Sequence, residues 1–265
     1  MDERTRTWSG SMPEVYDRLL VPALFAPAAD DLVTRALPMA PTRVLEIAAG
    51  TGVLTGKLCA ALPDAAVTAT DLNDAMAAYA EARVPEATWR PADAMALPFA
   101  DDAFDLVVCQ CGVMFLPDRI AGYREALRVL RAGGTFLFNA WDEVSANHGP
   151  DAVAAALHDM GETKAHAFFV GIPHGYCDVT RVRADVEAAG FTDVAIERVV
   201  YRGATTAAAL ARGFAEGSPV RAFLEASGDL AARRDDLIDR VTARLGDGPV
   251  ETRPAAFVVS ARKPA

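Results

Sequence analysis

The chain has 265 residues and a mass of 28.1 kDa, a length that favours one large domain with appendages over two small domains. Hydrophobic residues make up 52% and charged residues 23%, which is the balance of a folded globular protein and argues against wholesale disorder. The net charge of -10 would repel a polyanion, so neither a nucleic acid nor an anionic membrane surface is expected as a partner.

The sequence shows no recognisable targeting, membrane or metal-binding signal. The N-terminus has no cationic stretch followed by an apolar core, and the apolar residues 19–29 are broken by Pro22 and Pro27. The four cysteines form no C-x-x-C pair and the four histidines no H-E-x-x-H spacing. We therefore expect a cytoplasmic protein, either a monomer or a homodimer, without a metal and with its cysteines used as small core residues.

Short apolar runs alternate with helical stretches along the chain. A helical segment over 13–36 comes first. The predicted strands are 44–47, 67–70, 87–90, 104–109, 135–138, 194–201 and 256–261. The predicted helices are 53–62, 74–83, 123–130 and 179–189, followed by a mostly helical insert over 203–249 with Leu210, Phe214, Phe223 and Leu224 on its inner faces. This alternation predicts an α/β fold with a parallel, doubly wound sheet.

A glycine-containing turn follows the first predicted strand in the run Glu46-Ile47-Ala48-Ala49-Gly50-Thr51-Gly52. Glycines let the backbone approach a ligand closely, and the N-terminus of the next helix offers N–H groups to an anionic group. An ordinary tight strand–helix turn is the alternative. A dinucleotide fingerprint is not satisfied, because Thr55 stands where G-x-G-x-x-G requires glycine.

Asp71 ends the second predicted strand, about twenty residues beyond this turn. A carboxylate at that position suits the two ribose hydroxyls of an adenosine-containing ligand. A helix N-cap or a surface turn is the alternative role. The turn and Asp71 together predict an adenosine ligand in a Rossmann-like crevice and leave the cofactor open.

Three further motifs complete an ordered set with Glu46-x-Ala48-x-Gly50-x-Gly52: Pro91-Ala92-Asp93-Ala94-Met95-Ala96-Leu97-Pro98-Phe99, Asp101-Asp102-Ala103-Phe104-Asp105-Leu106-Val107-Val108 and Leu130-Arg131-Ala132-Gly133-Gly134. This set resembles the class I S-adenosylmethionine-dependent methyltransferases, in particular the small-molecule group typified by the ubiquinone/menaquinone-biosynthesis enzymes. The resemblance covers 44–139, and the segment 8–18 is also similar to family members.

The resemblance implies one methyltransferase domain over 1–265 with a Rossmann-like, mostly parallel seven-stranded sheet and an antiparallel final strand. Residues 1–40 would form an N-terminal helical lid and 41–140 the cofactor-binding core. Residues 141–265 would form the acceptor-side half, with the helical insert 203–249 before the last strand.

The resemblance also implies S-adenosyl-L-methionine as the cofactor and S-adenosyl-L-homocysteine as its product. The implied cofactor-binding residues are Tyr16, Phe25, Glu46, Ala48, Gly50, Thr51, Gly52, Asp71, Leu72, Asp93, Ala94, Met95, Gln110 and Cys111. Within this set, Glu46 would meet the ammonium group, either directly or through water, Asp71 the ribose and Asp93 the adenine amino group. Ala48 stands where the family usually has glycine, and a negative φ is expected to accommodate its methyl group.

The acceptor is expected beyond the carboxyl ends of the strands, where open α/β sheets bind their ligands. The candidate substrate residues are Met114, Phe115, Trp141, His174 and Tyr176, although aromatic and methionine side chains at such positions are also typical of plain core. His148, His174 and Tyr176 are the weak candidates for a catalytic base, with a structural or surface role as the alternative for each histidine.

These observations predict a methyltransferase that acts on a small organic molecule, with oxygen as the first expected acceptor atom, then carbon or nitrogen. A sulfonium methyl group is already activated, so no covalent catalytic signature is required. An NAD(P)-dependent oxidoreductase that uses the Gly50 turn is the rival enzyme, although no hydride-transfer constellation is recognisable. A protein that binds the cofactor without catalysis is the second rival.

Overall fold

The computed structural model describes residues 10–265 and contains a seven-stranded sheet with helices on both sides. Its strands are β1 (Arg43–Ile47), β2 (Ala66–Asp71), β3 (Thr88–Pro91), β4 (Phe104–Gln110), β5 (Leu130–Trp141), β6 (Thr192–Val200) and β9 (Ala255–Arg262). A separate two-stranded sheet consists of β7 (Gly203–Thr206) and β8 (Pro249–Thr252). The start of the family-like segment, Trp8 and Ser9, lies outside the described residues, as does the segment inspected for a targeting signal.

Eleven α-helices surround the two sheets within residues 10–265. They are α1 (Met12–Leu19), α2 (Ala26–Ala36), α3 (Val53–Ala61), α4 (Asp74–Arg83), α5 (Arg119–Val129), α6 (His148–Asp159), α7 (Thr163–Gly171), α8 (Val179–Ala188), α9 (Ala207–Gly217), α10 (Val220–Ser227) and α11 (Leu230–Leu245). A π-helical turn, Val21–Phe25, joins the first two. Over the described chain, every helix is too short or too polar to cross a lipid bilayer.

The strand order is β3-β2-β1-β4-β5-β9-β6, and β9 runs antiparallel to both of its neighbours. The Rossmann-like fold and the antiparallel final strand are therefore confirmed. The order reverses between β1 and β4, which pair in parallel. A reversal of this kind opens a crevice at the carboxyl ends of the two strands, and such a crevice is where doubly wound sheets bind ligands.

The N-terminal segment is built into the core as well as lying near this crevice. Leu20, Ala28 and Leu32 are fully buried, and α1 packs along α9. Burial of apolar side chains such as these stabilises the folded state by roughly 25 cal/mol for each Å² of apolar surface removed from water. The segment therefore packs into the core of the domain.

Three local features differ from the sequence-based expectation. Helix α5 ends at Val129 and β5 begins at the next residue, so Gly133 and Gly134 lie inside the strand instead of ending a helix. Gly133 has a φ of 71°, a conformation that glycine adopts without a Cβ penalty. Two helices, α6 and α7, occupy a stretch for which no element was predicted. The helical insert is confirmed, with its four inner-face residues buried, but it begins and ends on the unpredicted strands β7 and β8.

Candidate active site

A cavity of about 1080 Å³ opens at the carboxyl ends of β1, β2 and β4. We call it the cofactor cavity. Its lining includes eleven of the fourteen predicted cofactor-binding residues: Tyr16, Phe25, Ala48, Gly50, Thr51, Asp71, Leu72, Asp93, Ala94, Gln110 and Cys111. The structure thus brings together side chains from four separate turns and from the N-terminal segment.

Asp71 presents a carboxylate whose two oxygens are each fixed by one backbone group. The N–H of Gly50 donates to Oδ2 and the N–H of Asn73 to Oδ1, both at 2.8 Å. A carboxylate has about four lone-pair positions, so both oxygens can accept further hydrogen bonds from a ligand. Burial raises the pKa of Asp71, and backbone hydrogen bonds from Asn73, Gly50 and Leu72 oppose that shift. The N-cap of α4 is Asn73, which accepts from the N–H groups of Ala75 and Met76, so Asp71 does not serve as the cap.

Asp93 lies in the loop after β3 and also borders the cofactor cavity. Its Oδ1 accepts the N–H of Met95 at 2.9 Å, which holds the carboxylate in a tight turn. The ends of β2 and β3 lie side by side, with Asp71 paired to Pro91 in the sheet register. The two carboxylates therefore approach the same cavity from adjacent strand ends.

Three predicted residues lie outside the lining of this cavity. Glu46 is 1% exposed beneath it, and its Oε2 accepts a 2.5 Å hydrogen bond from the Thr55 hydroxyl. Burial is the main cause that raises the pKa of Glu46 to about 8, and the charge of Asp71 adds to it. Gly52 faces the ring of Trp89, and Met95 contributes its N–H to Asp93. Their roles in cofactor binding stay predictions.

The backbone conformation of Ala48 differs from the one expected from the sequence. Its φ is 54°, in the left-handed region, whereas a negative φ was expected. The methyl group of Ala48 has room because the neighbouring residue Gly112 has no side chain. A Cβ at that glycine would lie only 2.7 Å from the Ala48 Cβ. The left-handed conformation costs a non-glycine residue roughly 1–2 kcal/mol, so this turn holds strain.

Two polar atoms at the cofactor cavity are buried and have no hydrogen-bond partner among residues 10–265. They are Oγ1 of Thr51 and Oε1 of Gln110. Leaving a buried polar atom unsatisfied costs roughly 1–3 kcal/mol, so such atoms in a cavity wall indicate a polar ligand. The amide orientation of Gln110 is fixed, since its Nε2 donates to the carbonyl oxygen of Phe25, which can only accept.

The charge of the cofactor cavity has one sign. Asp71 and Asp93 are the ionisable carboxylates in its wall, and within residues 10–265 the wall contains no lysine or arginine. An unpaired anion in such a cavity would be poorly stabilised, whereas a cation would be attracted.

A second cavity of about 700 Å³ adjoins the first, and we call it the acceptor cavity. The two share Tyr16, Phe25, Cys111, Phe115 and Pro219. The N–H of Cys111 donates to Oδ1 of Asn139 at 2.8 Å, which fixes the end of β4 at the junction. A ligand in one cavity can therefore reach a ligand in the other.

The predicted substrate residues divide between this cavity and the core. Phe115, Trp141 and His174 line the acceptor cavity. Met114 is 1% exposed and packs in the core, and Tyr176 is equally buried with its hydroxyl 2.9 Å from Oδ2 of Asp185. Neither Met114 nor Tyr176 lines either cavity, because the turn after β4 and the packing of α8 draw both side chains inward.

His148 is exposed at the start of α6 and lies outside both cavity walls. Sequence reasoning missed Phe168 and Phe169 of α7 and Pro219 between α9 and α10, which do line the acceptor cavity. The apolar run 167–170 is the signal that could have indicated the first two. The position of Pro219 carries no local signal, since it depends on how the insert folds back.

The comparison with known families matches residues 44–134 to the methyltransferase domain family. Residues 44–134 are thus similar to a methyltransferase domain. This match covers β1 to the middle of β5, the part of the chain that forms most of the cofactor cavity wall. The resemblance inferred from the sequence motifs is thereby confirmed.

Two curated methyltransferases are similar to part of this chain. A malonyl-(acyl-carrier protein) O-methyltransferase of Geobacter sulfurreducens is 34% identical over 162 residues, which are 59% of this chain and 58% of that protein. A ubiquinone/menaquinone biosynthesis C-methyltransferase of Dinoroseobacter shibae is 38% identical over 109 residues, 38% of this chain and 42% of that protein. The chain spans about half the length of the curated relatives it matches.

A solved structure shows that the likeness in fold extends beyond the methyltransferase domain. Phosphoethanolamine N-methyltransferase 2 of Haemonchus contortus, in complex with phosphomonomethylethanolamine and S-adenosylhomocysteine, has a TM-score of 0.63 to this chain. The two are 17% identical, and the superposition covers 96% of this chain and 57% of that one. At this identity the comparison shows a shared fold.

Proposed function

We propose that this protein is an S-adenosylmethionine-dependent methyltransferase that acts on a small organic molecule. The observation that carries this proposal is the charge of the cofactor cavity, which offers Asp71 and Asp93 and, in the described chain, no cationic side chain. S-adenosylmethionine carries a positive sulfonium, an ammonium group and one carboxylate on an adenosine and is a net cation, whereas a nicotinamide dinucleotide carries two phosphates and is a net anion. The cavity therefore favours the sulfonium cofactor over the dinucleotide.

The residues present fit such a ligand. Asp71 would hold the ribose hydroxyls and Asp93 the adenine amino group, as the family resemblance implies. The buried Oγ1 of Thr51 and Oε1 of Gln110 would pair with the amino-acid part, which would satisfy both atoms. The cofactor, when bound, supplies a methyl group that its positive sulfur has already activated.

The remaining contribution of this chain to methyl transfer is to position the acceptor relative to the cofactor. Phe25 and Phe115 lie where the two cavities meet, and they would keep water away while the acceptor is held in line with the methyl group. Correct placement of two reactants contributes several kcal/mol to lowering a barrier. Among the named relatives one is an O-methyltransferase and one a C-methyltransferase, so they leave both acceptor atoms open. Oxygen is our first candidate.

Ligand binding separates this proposal from its rivals. S-adenosylhomocysteine should raise the melting temperature of the protein, because it binds the folded state alone, with a gain of roughly 2.7 kcal/mol at a hundredfold excess over its Kd. NAD should give no shift at the same concentration. A shift with NAD and none with S-adenosylhomocysteine would favour the oxidoreductase. Binding without methyl transfer to any phenol, amine or activated carbon acid in a panel would favour the non-catalytic alternative.

A further inference from the structure

The acceptor cavity is an uncharged, ring-lined space. None of the side chains in its wall within residues 10–265 is a lysine, arginine, aspartate or glutamate. Phe25 packs between Tyr16 and Trp141, with ring centroids 4.9 and 5.5 Å away, and Phe169 packs edge-on to Phe214 at 4.9 Å. Flat, apolar walls of this kind bury a flat, apolar ligand, and a charged ligand would lose its hydration without gaining a partner.

Two polar side chains in this wall use their hydrogen bonds within the protein. Asn147 donates from Nδ2 to the carbonyl oxygens of Asp142 and Glu143, and its Oδ1 accepts from the N–H of Ala255. The hydroxyl of Ser218 donates to the Phe214 carbonyl and accepts the N–H of Val220. These two side chains therefore serve the fold and not a ligand.

His174 differs from them because one of its two ring nitrogens remains available. Its Nδ1 lies 2.8 Å from the carbonyl oxygen of Asp142, and a carbonyl can only accept, so Nδ1 carries the hydrogen. In the neutral ring Nε2 then has a lone pair, and no hydrogen bond to Nε2 occurs among the described residues. The ring itself is 6% exposed and stands against Phe169, with centroids 5.8 Å apart.

Burial, and not a neighbouring charge, favours the neutral form of this ring. Burial lowers the pKa of His174, which its hydrogen bond to the Asp142 carbonyl and the Asp142 charge partly oppose. The Asp142 carboxylate is already bound by the Arg198 guanidinium at 2.6 Å and by the N–H of Glu143 at 2.8 Å. Near neutral pH Nε2 is therefore an acceptor of a proton rather than a donor.

We propose that the acceptor cavity binds an uncharged aromatic alcohol of the phenol class and that Nε2 of His174 accepts its hydroxyl proton. This inference rests on the proposed function. As the hydroxyl oxygen bonds to the methyl carbon, the carbon–sulfur bond breaks with its electron pair kept by sulfur, and the hydroxyl proton passes to Nε2. The products are an aryl methyl ether, an uncharged thioether and an imidazolium, which returns its proton to water.

The experiment compares three matched ligands by calorimetry in the presence of saturating S-adenosylhomocysteine. The ligand 2-naphthol has the ring and the hydroxyl, 2-methoxynaphthalene lacks the donor hydrogen, and 2-naphthoate adds a charge. We expect 2-naphthol to bind at least tenfold more tightly than 2-naphthoate. Equal or tighter binding of the carboxylate would overturn the proposed substrate class.

The role of His174 is tested with H174N, whose amide can reproduce the Nδ1 donor to Asp142 but has nothing at the position of Nε2. Its affinity for 2-naphthol should fall about tenfold, the equivalent of one neutral hydrogen bond, while its affinity for 2-methoxynaphthalene should stay the same. Equal losses for both ligands would show that the histidine only shapes the cavity, and no loss would show that it does not meet the hydroxyl.

A pH titration of the wild-type protein gives a readout that requires no variant to fold. Naphthol affinity should decline as the pH falls below the ordinary histidine pKa of about 6.5, because protonated Nε2 can no longer accept, and methoxynaphthalene affinity should not. A flat naphthol profile would overturn the assignment of Nε2. Failure of S-adenosylhomocysteine to bind would refute the proposed function itself, whereas its binding without 2-naphthol binding would refute this inference alone.

Discussion

The side-chain amide of Gln110 donates a 2.6 Å hydrogen bond to the backbone carbonyl of Phe25. This bond joins the end of β4 to the π-helical turn Val21–Phe25 and so fixes the N-terminal segment across the open edge of the sheet. The same amide leaves its oxygen in the cofactor cavity. One side chain therefore both closes the site and presents a polar atom to a ligand.

Replacing Gln110 by leucine should lower both stability and cofactor affinity. The loss of one buried hydrogen bond costs about 1 kcal/mol, and the wall that carries Tyr16 and Phe25 loses its link to the sheet. Thermal unfolding and calorimetry with S-adenosylhomocysteine measure the two effects. The control is T34V, which removes an exposed side-chain bond to the Asp30 carbonyl and should change neither quantity noticeably. Unaltered affinity in Q110L would mean that the link does not shape the site.

The two carboxylates of the cofactor cavity should differ in their effect on affinity. D71A removes a charged acceptor for two hydroxyls, each such bond being worth roughly 1.5–3 kcal/mol, whereas D93A removes an acceptor for one amino group. Calorimetry with S-adenosylhomocysteine should therefore show the larger loss for D71A, with both variants folded. The control D64A removes an exposed carboxylate outside the cavity wall and should bind as the wild type does. A D71A protein with wild-type affinity would refute the ribose assignment.

Ala48 should gain stability when it is replaced by glycine. Relief of the left-handed strain, roughly 1–2 kcal/mol, outweighs the added flexibility of the unfolded chain, so a net gain of about 0.5–1 kcal/mol is expected. Chemical denaturation measures it. The adjacent residue Ala49 does not have a positive φ, so A49G should instead lose stability by about that amount. If both substitutions destabilise the protein, then Ala48 is not strained.

Glu46 should make the protein less stable as the pH rises. Burial raises its pKa in the folded state from near 4.5 to about 8, so the stability that this group contributes is full below 4.5 and lost as the pH approaches 8. E46Q keeps the Thr55 partner and removes the titration, so near pH 8 it should be more stable than the wild type by an amount on the order of 1–3 kcal/mol.

Denaturation of E46Q and wild type across this pH range tests the expectation. Glu125 supplies the matched control, since hydrogen bonding to Arg128 lowers its pKa. That carboxylate stabilises the fold above its ordinary pKa, so E125Q should lose stability at neutral pH. Parallel pH profiles for E46Q and the wild type would show that Glu46 does not titrate in this range.

The parts of the fold that could be predicted are those with a local cause. The buried strands β1 and β4 are apolar runs that end in turn residues, and a doubly wound sheet follows from their alternation with helices. Helices α6 and α7 were missed because Pro150 and the glycines at 149, 161 and 171 interrupt the helical pattern, whereas tertiary packing stabilises both helices.

Some features of the candidate site could likewise be predicted from local sequence, and others depend on tertiary packing. The placement of Asp71 and Asp93 follows from strand ends that the chain order specifies. The left-handed φ of Ala48 and the hydrogen-bond partner of Glu46 could not be predicted, because each depends on how separate segments pack, with Gly112 as the neighbour in one case and Thr55 in the other. The acceptor cavity is the least local feature, since its wall combines the N-terminal segment, α7 and the insert.

The paired strands β7 and β8 bring the two ends of the helical insert together. Gly203 lies opposite Thr252, whose hydroxyl donates to the Ala23 carbonyl, so both ends are fastened at one point on the N-terminal segment. A long insert whose two ends are paired with each other can change in length or sequence without shifting the register of β9. Because α9 and the α9–α10 junction supply part of the acceptor cavity wall, changes of sequence in this insert are expected to alter which acceptor the cavity fits.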